Sequence, residues 1–538
     1  MIATALPGPS LLRRSFEALL VLGLAGSLGL ALGLLGGLDA KYQLAFVVGG
    51  IFLGALVLFP ERRLLCLLLW ILIQPLSIEK VFYVNAIYQG FVPQAIVINA
   101  GDALLVLLAG FMLVESLFTH RKVWHWPTFA TLFGLYLLWA LLSALMHGVF
   151  LDTGYTGSTP WALIHYVRAL LFIVVVHSAI RTRAELICVL VALACIVLGE
   201  AILVALSYVT GELFNFARLT GQTPMLELQT FSSADGKVAR GVGTLGHTNQ
   251  QAAFHTFYTL PLIALLVVRN TWFRVAALVV IGASAIAVLL SFSRSAWMSF
   301  ALALMLVFVM AWYRREIAPV AWLTGAVMAV MMVFVLGALA EPIYERIAHG
   351  DDGATDSRLR MIDLATDLFL SHPIVGVGPG EFSEASILQY PPDFKENEWV
   401  PVSEKPMVPT VGRLEVIRFV KEGAEPLTSP LPVHNKYMLT LSELGVVGLL
   451  LWLAIYAHLF RESLACSRAQ DTVLRYVGVA GIAAMVASMS YMMLDLFADD
   501  KSVQILFFVP LIVTAAARIV RESERNADEE MILDFLKE

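Results

Sequence analysis

His434 stands where a polar stretch meets an apolar one, in Pro432-Val433-His434-Asn435-Lys436-Tyr437 running into Met438–Leu450. An imidazole titrates near pH ~6.5, so His434 could orient a hydroxyl or accept its proton as a general base. The competing reading is a solvated junction residue or a helix cap. Glu443 follows nearly two turns into the same apolar run. A carboxylate at that depth is costly in lipid, so Glu443 is expected to face a bundle interior and to have a partner.

Arg294 sits in Ser291-Phe292-Ser293-Arg294-Ser295-Ala296-Trp297, a tight hairpin between two apolar runs. By the charge count below that hairpin lies outside, where short loops avoid arginine. A guanidinium presents a fork of donors matched to phosphate or pyrophosphate, so an anionic lipid headgroup is the natural ligand; snorkelling to ordinary phospholipid is the bland alternative. Arg240 and Arg358 lie in long polar segments and, taken singly, read as surface residues. Arg168 differs, because it falls inside the run Trp161–Ala179. Glu200 lies at a similar depth in the next run, so the two are expected to pair and pin neighbouring helices.

Two glycine patterns resemble nucleotide loops. Gly241-Val242-Gly243-Thr244-Leu245-Gly246 matches G-x-G-x-x-G, and Gly376-Val377-Gly378-Pro379-Gly380 looks similar. A dinucleotide site needs a buried strand before the glycines and a helix after them within a βαβ unit, and neither segment has that setting. Tight turns near a ligand or the bilayer surface are the better reading. Asp351, Asp352 and Asp356 lack the length and terminal Glu of a calcium loop, so no metal is expected there.

These residues must be positioned by membrane helices. Of 538 residues 59% are hydrophobic and 14% charged, against roughly 25% charged in a soluble domain. Apolar runs long enough to cross a ~30 Å hydrocarbon core recur along the chain. They predict an all-α polytopic bundle with about fourteen transmembrane helices, at 16–38, 42–59, 64–78, 99–118, 128–147, 161–179, 185–208, 249–268, 273–291, 295–312, 319–340, 437–460, 474–498 and 502–520. The run Phe16–Leu38 is too long for a signal-peptide core and reads as the first retained span. Basic pairs mark every second connection: Arg13 with Arg14, Arg62 with Arg63, Arg121 with Lys122, Arg181 with Arg183, Arg269 with Arg274, Arg314 with Arg315, Arg461 with Arg468, and Arg518 with Arg521. Lysine and arginine in short loops stay cytoplasmic, so both termini are expected inside and the long segments 209–248 and 341–436 outside. In the second, Asp356 is expected to cap a helix over Ser357–Ser371, with Pro373 just beyond its end. Cys66, Cys188 and Cys195 fall in apolar runs and Cys466 in a basic loop, so neither a disulfide framework nor a zinc site is expected.

Four pieces in this order resemble the O-antigen ligase and Wzy-type polymerase superfamily of bacterial membrane glycosyltransferases. They are Arg240-Gly241 through Gly246-His247-Thr248-Asn249; Ser293-Arg294-Ser295-Ala296; Ser357-Arg358 with Gly376 through Phe382; and His434-Asn435-Lys436-Tyr437 with Leu441, Glu443, Gly445 and Gly448-Leu449. The resemblance covers about residues 240–455. It implies a GT-C-like helical fold with a periplasmic loop over an amphipathic cavity in the bacterial inner membrane. It divides the chain into N-terminal transmembrane helices (1–240), a catalytic core (241–460), C-terminal helices (461–520) and a cytoplasmic tail (521–538). The implied donor is glycan on undecaprenyl pyrophosphate and the acceptor a hydroxyl on another glycan or on lipid A core, with inversion and without metal, cofactor, nucleotide sugar or nucleic acid. On these residues His434, Arg294 and Arg240 would be catalytic, and Arg358, Asn435, Asn249, Glu443 and Arg168 would line the substrate. The proline-rich insert between Phe382 and His434 matches no family motif and leaves the acceptor open.

Ligation, polymerisation and protein glycosylation share this donor chemistry. The acidic tail after Arg521, in place of a soluble acceptor domain, leans toward polysaccharide assembly. Rival classes are a secondary transporter, with Arg168, Glu200, Asp102 and Glu443 on a proton or substrate path, and a scaffold of an export complex. A transporter usually shows repeated halves and broken helices. The sequence displays neither.

Overall fold

The computed structural model describes residues 62–76, 79–84, 95–119, 123–147, 159–212, 230–233, 236–314, 354–389, 433–495 and 500–535, with isolated positions between 326 and 344. The expected spans at 16–38 and 42–59, nearly all of 319–340, and residues 390–432 of the loop insert lie outside these described residues.

The helices are α1 (Arg62–Ile73), α2 (Ala100–Thr119), α3 (Thr128–Leu145), α4 (Thr159–Ala179), α5 (Arg183–Thr210), α6 (Thr248–Tyr258), α7 (Thr271–Leu290), α8 (Arg294–Tyr313), α9 (Ala354–Ser371), α10 (Phe382–Gln389), α11 (Lys436–Cys466), α12 (Thr472–Met492) and α13 (Asp500–Phe535). Among the described residues, nine helices are long and apolar enough to cross a membrane. The protein is therefore a polytopic helical membrane protein. Its apolar residues cover the outside as well as the core: Leu135, Leu138, Leu142 and Leu145 on α3, and Met298, Met305, Val309 and Trp312 on α8, are all exposed. In water such faces would aggregate, and in lipid they are the solvent-matched surface.

Helices α11, α12 and α13 pack on one another at the centre, with α3 on α11, α8 on α12, and α4 on α13. Helices α1 and α7 pack against α5 on the flank. Trp452 fills the junction of α3, α11 and α13, its ring 5.5 Å from both Tyr136 and Phe507.

Four differences from the sequence reading have local causes. The stretch 64–78 is only a twelve-residue helix, α1, and a 3-10 turn over Gln74–Leu76 ends it at Pro75. The stretch 249–268 likewise changes at Pro261 from α6 to a 3-10 segment, Leu260–Val267, because proline removes a helix donor. Helix α11 is interrupted at Gly445 (φ 67, ψ −169). Broken helices are therefore present, contrary to expectation. Finally, two antiparallel hairpins join the helices: β1 (Glu79–Val84) with β2 (Ala95–Asn99), and β3 (Thr230–Ser233) with β4 (Gly236–Ala239). Smaller differences are that α9 begins two residues before Asp356 and that Cys466 is the buried last residue of α11 rather than part of a loop.

Among the described residues, several members of the basic pairs make contacts at one end of the bundle. Arg63 bonds the Ala179 carbonyl and Glu185, and Arg518 bonds the Ile180 carbonyl. Arg181 pairs with Glu115, Arg183 with Asp471, and Arg521 with Glu462. Arg314 bonds the Ser467 carbonyl. The candidate chemistry collects at the opposite end.

Candidate active site

Arg240 follows directly on strand β4, whose pairing with β3 runs from Ser233–Gly236 to Thr230–Ala239. Its Nε donates to the Ser291 carbonyl at 2.9 Å and its Nη2 to Asn249 Oδ1 at 2.9 Å. The next amide, Gly241, donates to the Leu290 carbonyl at 2.7 Å. The first motif is thereby tied to the end of α7, just before the hairpin that carries Arg294. Within that hairpin Phe292 is buried with φ 50, a left-handed conformation that is rare and strained for a bulky residue. Its ring lies 6.1 Å from Tyr208 and 6.1 Å from Trp297, which hold the turn. Arg294, half-buried, then opens α8. Tyr491 on α12 donates to the Asn249 carbonyl at 2.8 Å and interacts with Ser293, Ser295 and Arg240. One patch therefore joins the first two motifs.

The glycines 241–246 serve close packing. A Cβ on Gly243 would stand 2.1 Å from Glu200 Oε2. Glu200, fully buried on α5, accepts from the Thr244 amide at 2.9 Å and from the Thr244 hydroxyl. The expected pairing of Arg168 with Glu200 does not form. Arg168 instead forms an ion pair with Asp102 of α2. The reason is helix arrangement: α4 packs on α1, α2, α3 and α13, while α5 turns toward α1, α6 and α7. Glu200 is thus an anchor for the loop leading to α6, a role to which matched depth gave no pointer.

The third and fourth motifs form one unit. The loop after α9 lies along the break in α11: Val377 donates to the Ser442 carbonyl, Gly378 to the Glu443 carbonyl and Val446 to the Pro373 carbonyl, each at 2.9 Å. These bonds replace the helical ones lost at Gly445. Contact is too close for side chains, since a Cβ on Gly445 would stand 2.1 Å from the Ile374 carbonyl oxygen and one on Gly376 2.2 Å from the Glu443 carbonyl carbon. Helix α3 braces the junction: Trp139 Nε1 donates to the Leu444 carbonyl at 2.8 Å, Ser143 to the Val375 carbonyl at 2.7 Å, and His147 Nε2 to the Gly376 carbonyl at 2.6 Å. Burial, with His372 nearby, keeps the His147 ring below its ordinary pKa despite that carbonyl. Glu381 reaches from the same loop to cap α4, accepting from the Thr159 amide at 2.7 Å and hydroxyl at 2.8 Å.

Glu443 is buried, with the Phe382 amide 3.5 Å from Oε1 and Lys436 as its electrostatic partner. Lys436, itself 4% exposed, lies with Nζ 5.2 Å from the Trp452 ring centroid. The expectation that Glu443 faces inward with a partner is met. Lys436 as that partner escaped notice, because a lysine at a helix mouth ordinarily reads as an interfacial cation.

His434 precedes α11, and the helix cap is its neighbour: Asn435 Oδ1 accepts from the Tyr437 and Met438 amides, each at 3.0 Å. Asn435 is therefore occupied with the helix terminus. The His434 Nδ1 atom is buried without a hydrogen-bond partner among the described residues. Burial, then the Arg358 guanidinium, then His247 push its pKa down to about 4. His247 is the N-cap residue of α6, two positions before Asn249. All four motifs consequently meet at one end of the bundle, Arg240 and Arg294 on one side and His434 with Arg358 on the other, bridged by residues 247–249.

Residues 276–403 match the family model described as O-Antigen ligase. In that segment the chain is similar to the O-antigen ligase family. The match includes Arg294, Arg358 and the loop Gly376–Gly380, while Arg240, His434 and Glu443 lie outside it. No curated protein sequence is significantly similar to the chain.

Proposed function

We propose that this chain is a membrane glycosyltransferase of the O-antigen ligase type, transferring glycan from an undecaprenyl-pyrophosphate donor to an acceptor hydroxyl at the periplasmic face of the bacterial inner membrane. The observation that carries the reading is the convergence of Arg240, Arg294, Arg358 and His434 from four separate segments of the chain. In the reaction the acceptor oxygen attacks the anomeric carbon from the face opposite the pyrophosphate. The carbon–oxygen bond to pyrophosphate breaks, with inversion. Arg240 and Arg294 meet the charge that develops on the leaving pyrophosphate, an effect strongest where water is excluded. His434, kept neutral, has a ring nitrogen to align the hydroxyl or take its proton. Arg358 lowers the proton affinity of that ring and lies beside the donor charge. The break at Gly445, sealed by the loop 373–378, holds His434 and Glu443 at one end of a rigid helix.

The cluster of cations at one membrane face suits a lipid pyrophosphate better than a transport path, which requires polar residues through mid-depth. The test is the polyprenyl-linked glycan pool of a deletion strain, resolved by thin-layer chromatography. The pool is expected to rise, and an unchanged pool would contradict transfer.

A further inference from the structure

The end of the bundle opposite this site holds a polar cavity of about 210 Å³. Its titratable lining is His125, His177, His458, Glu462, Arg518 and Arg521. Two guanidiniums and three imidazoles thus stand against the Glu462 carboxylate and that of Glu522, 3.9 Å from His125 Nε2, an excess of donors that favours an anion. Arg518 is 7% exposed and gives Nη2 to the Ile180 carbonyl, but its buried Nε and Nη1 have no hydrogen-bond partner among the described residues. Glu522 stands 3.8 Å from Nε, beyond hydrogen-bond reach. Unmade bonds on a buried guanidinium are costly, and a bound anion would complete them.

The neighbouring rings have fixed roles. Arg461 Nη2 lies 3.3 Å from His458 Nδ1; a guanidinium only donates, so the proton of the neutral ring sits on Nε2 and is available as a donor. Thr514 gives its hydroxyl proton to the Leu511 carbonyl at 3.1 Å and therefore accepts from His177 Nδ1 at 3.2 Å, leaving His177 Nε2 as an acceptor. Glu462 already accepts from Arg521 at 2.8 Å. Donors for a phosphate thus stand beside acceptors for a hydroxyl.

We propose that this cavity binds a phosphate-bearing anion, namely the headgroup of an anionic glycerophospholipid. It lies at the end of membrane-crossing helices beside Trp126, which is 60% exposed, and tryptophan at that level marks the lipid–water interface. Basic pockets between membrane helices recognise anionic headgroups by the same pairing. The volume equals about seven waters at ~30 Å³ each, enough for a phosphodiester head and below the ~300 Å³ at which pockets for larger ligands begin.

The test titrates detergent-purified protein with monomeric short-chain phosphatidylglycerol, with phosphatidylcholine of the same chains, and with inorganic phosphate, reading tryptophan fluorescence and thermal shift. Phosphatidylglycerol is expected to bind saturably and phosphatidylcholine weakly. Arg521→Gln, at a half-exposed side chain, and His458→Ala should each weaken binding about tenfold, the loss expected for one charge-assisted contact. Arg518→Gln should weaken it most, but it also loses the bond to Ile180, so the two other variants decide the matter if it fails to fold. Competition by inorganic phosphate at equal strength would retain the anion site and overturn the lipid as its occupant. Equal binding of both lipids, or parental affinity in Arg521→Gln and His458→Ala, would overturn the site.

Discussion

His434 is neutral near pH ~7 because burial and the Arg358 charge both oppose its protonation. The transfer rate should accordingly lack a step near pH ~6.5, the ordinary imidazole value, and fall only toward pH 4. Stability follows the same sign. The unfolded chain takes up this proton near pH ~6.5 and the folded chain near 4, so the contribution of His434 is fully present above the first value and declines between the two as pH falls. Thermal melts of parent and His434→Gln between pH 4 and 7 check this: the parent alone should lose stability from this group. At Arg294 the expectation concerns shape. Lysine keeps the charge but not the two-pronged contact, so Arg294→Lys should restore only part of the transfer that Arg294→Ala removes. Equal rates for parent, Lys and Ala would reduce Arg294 to a headgroup contact. At Arg168 the partner is Asp102, and Arg168→Leu should cost about 1–3 kcal/mol, less than a fully buried pair because both side chains keep some exposure. Adding Asp102→Leu should recover part of that loss in a thermal-shift double-mutant cycle. Full additivity would show that the two do not couple.

At the scale of elements, the helices were legible because apolar runs near twenty residues have few other uses, and α2 to α5, α7, α8 and α12 fall close to the expected bounds. The breaks were not legible. Gly445 and the glycines 376–380 appear in sequence as two unrelated motifs about 65–70 residues apart, and only the bonds between residues 373–378 and 442–446 reveal one shared device. The hairpins escaped for a related reason: four- to six-residue strands leave little periodicity to read. Likewise matched depth suggested a partner for Arg168, yet depth fixes one coordinate and the helix neighbours fix the other. The Gly445 device yields a sharp expectation. Gly445→Ala should cost about 1–3 kcal/mol in backbone conformation alone, displace the Ile374 carbonyl and lower transfer. Gly282→Ala in α7, where nothing lies within 4 Å of the new methyl, should be neutral or mildly stabilising. Melting temperatures of the two variants in one detergent compare them, and equal values would mean that the loop does not seal α11.

At the scale of the molecule, the described residues place basic ion pairs at one end of the bundle and the four motifs at the other, an arrangement that fits the expected alternation of its connections. Cysteine labelling from the two sides of the membrane tests the absolute orientation. A cysteine at Asp393 should react from outside and one at Arg314 only from within; the reverse would overturn the periplasmic assignment. Arg294 drew notice as a cation out of keeping with its short hairpin and His434 by its junction, while Arg240 and Arg358 read singly as surface residues and only the family resemblance grouped them; Lys436, Glu200 and His147 are of types unremarkable until burial is known. What unites these scales is the proposed reaction, in which guanidiniums would hold a lipid pyrophosphate while His434 addresses the acceptor. Turnover of a defined undecaprenyl-pyrophosphate glycan with a defined hydroxyl acceptor by purified protein, in EDTA and without nucleotide, tests that claim most directly. The parent should transfer glycan, His434→Ala should fold yet lose about 10²–10⁴-fold in rate, and His434→Gln should retain more; near-normal turnover by the Ala variant would contradict it.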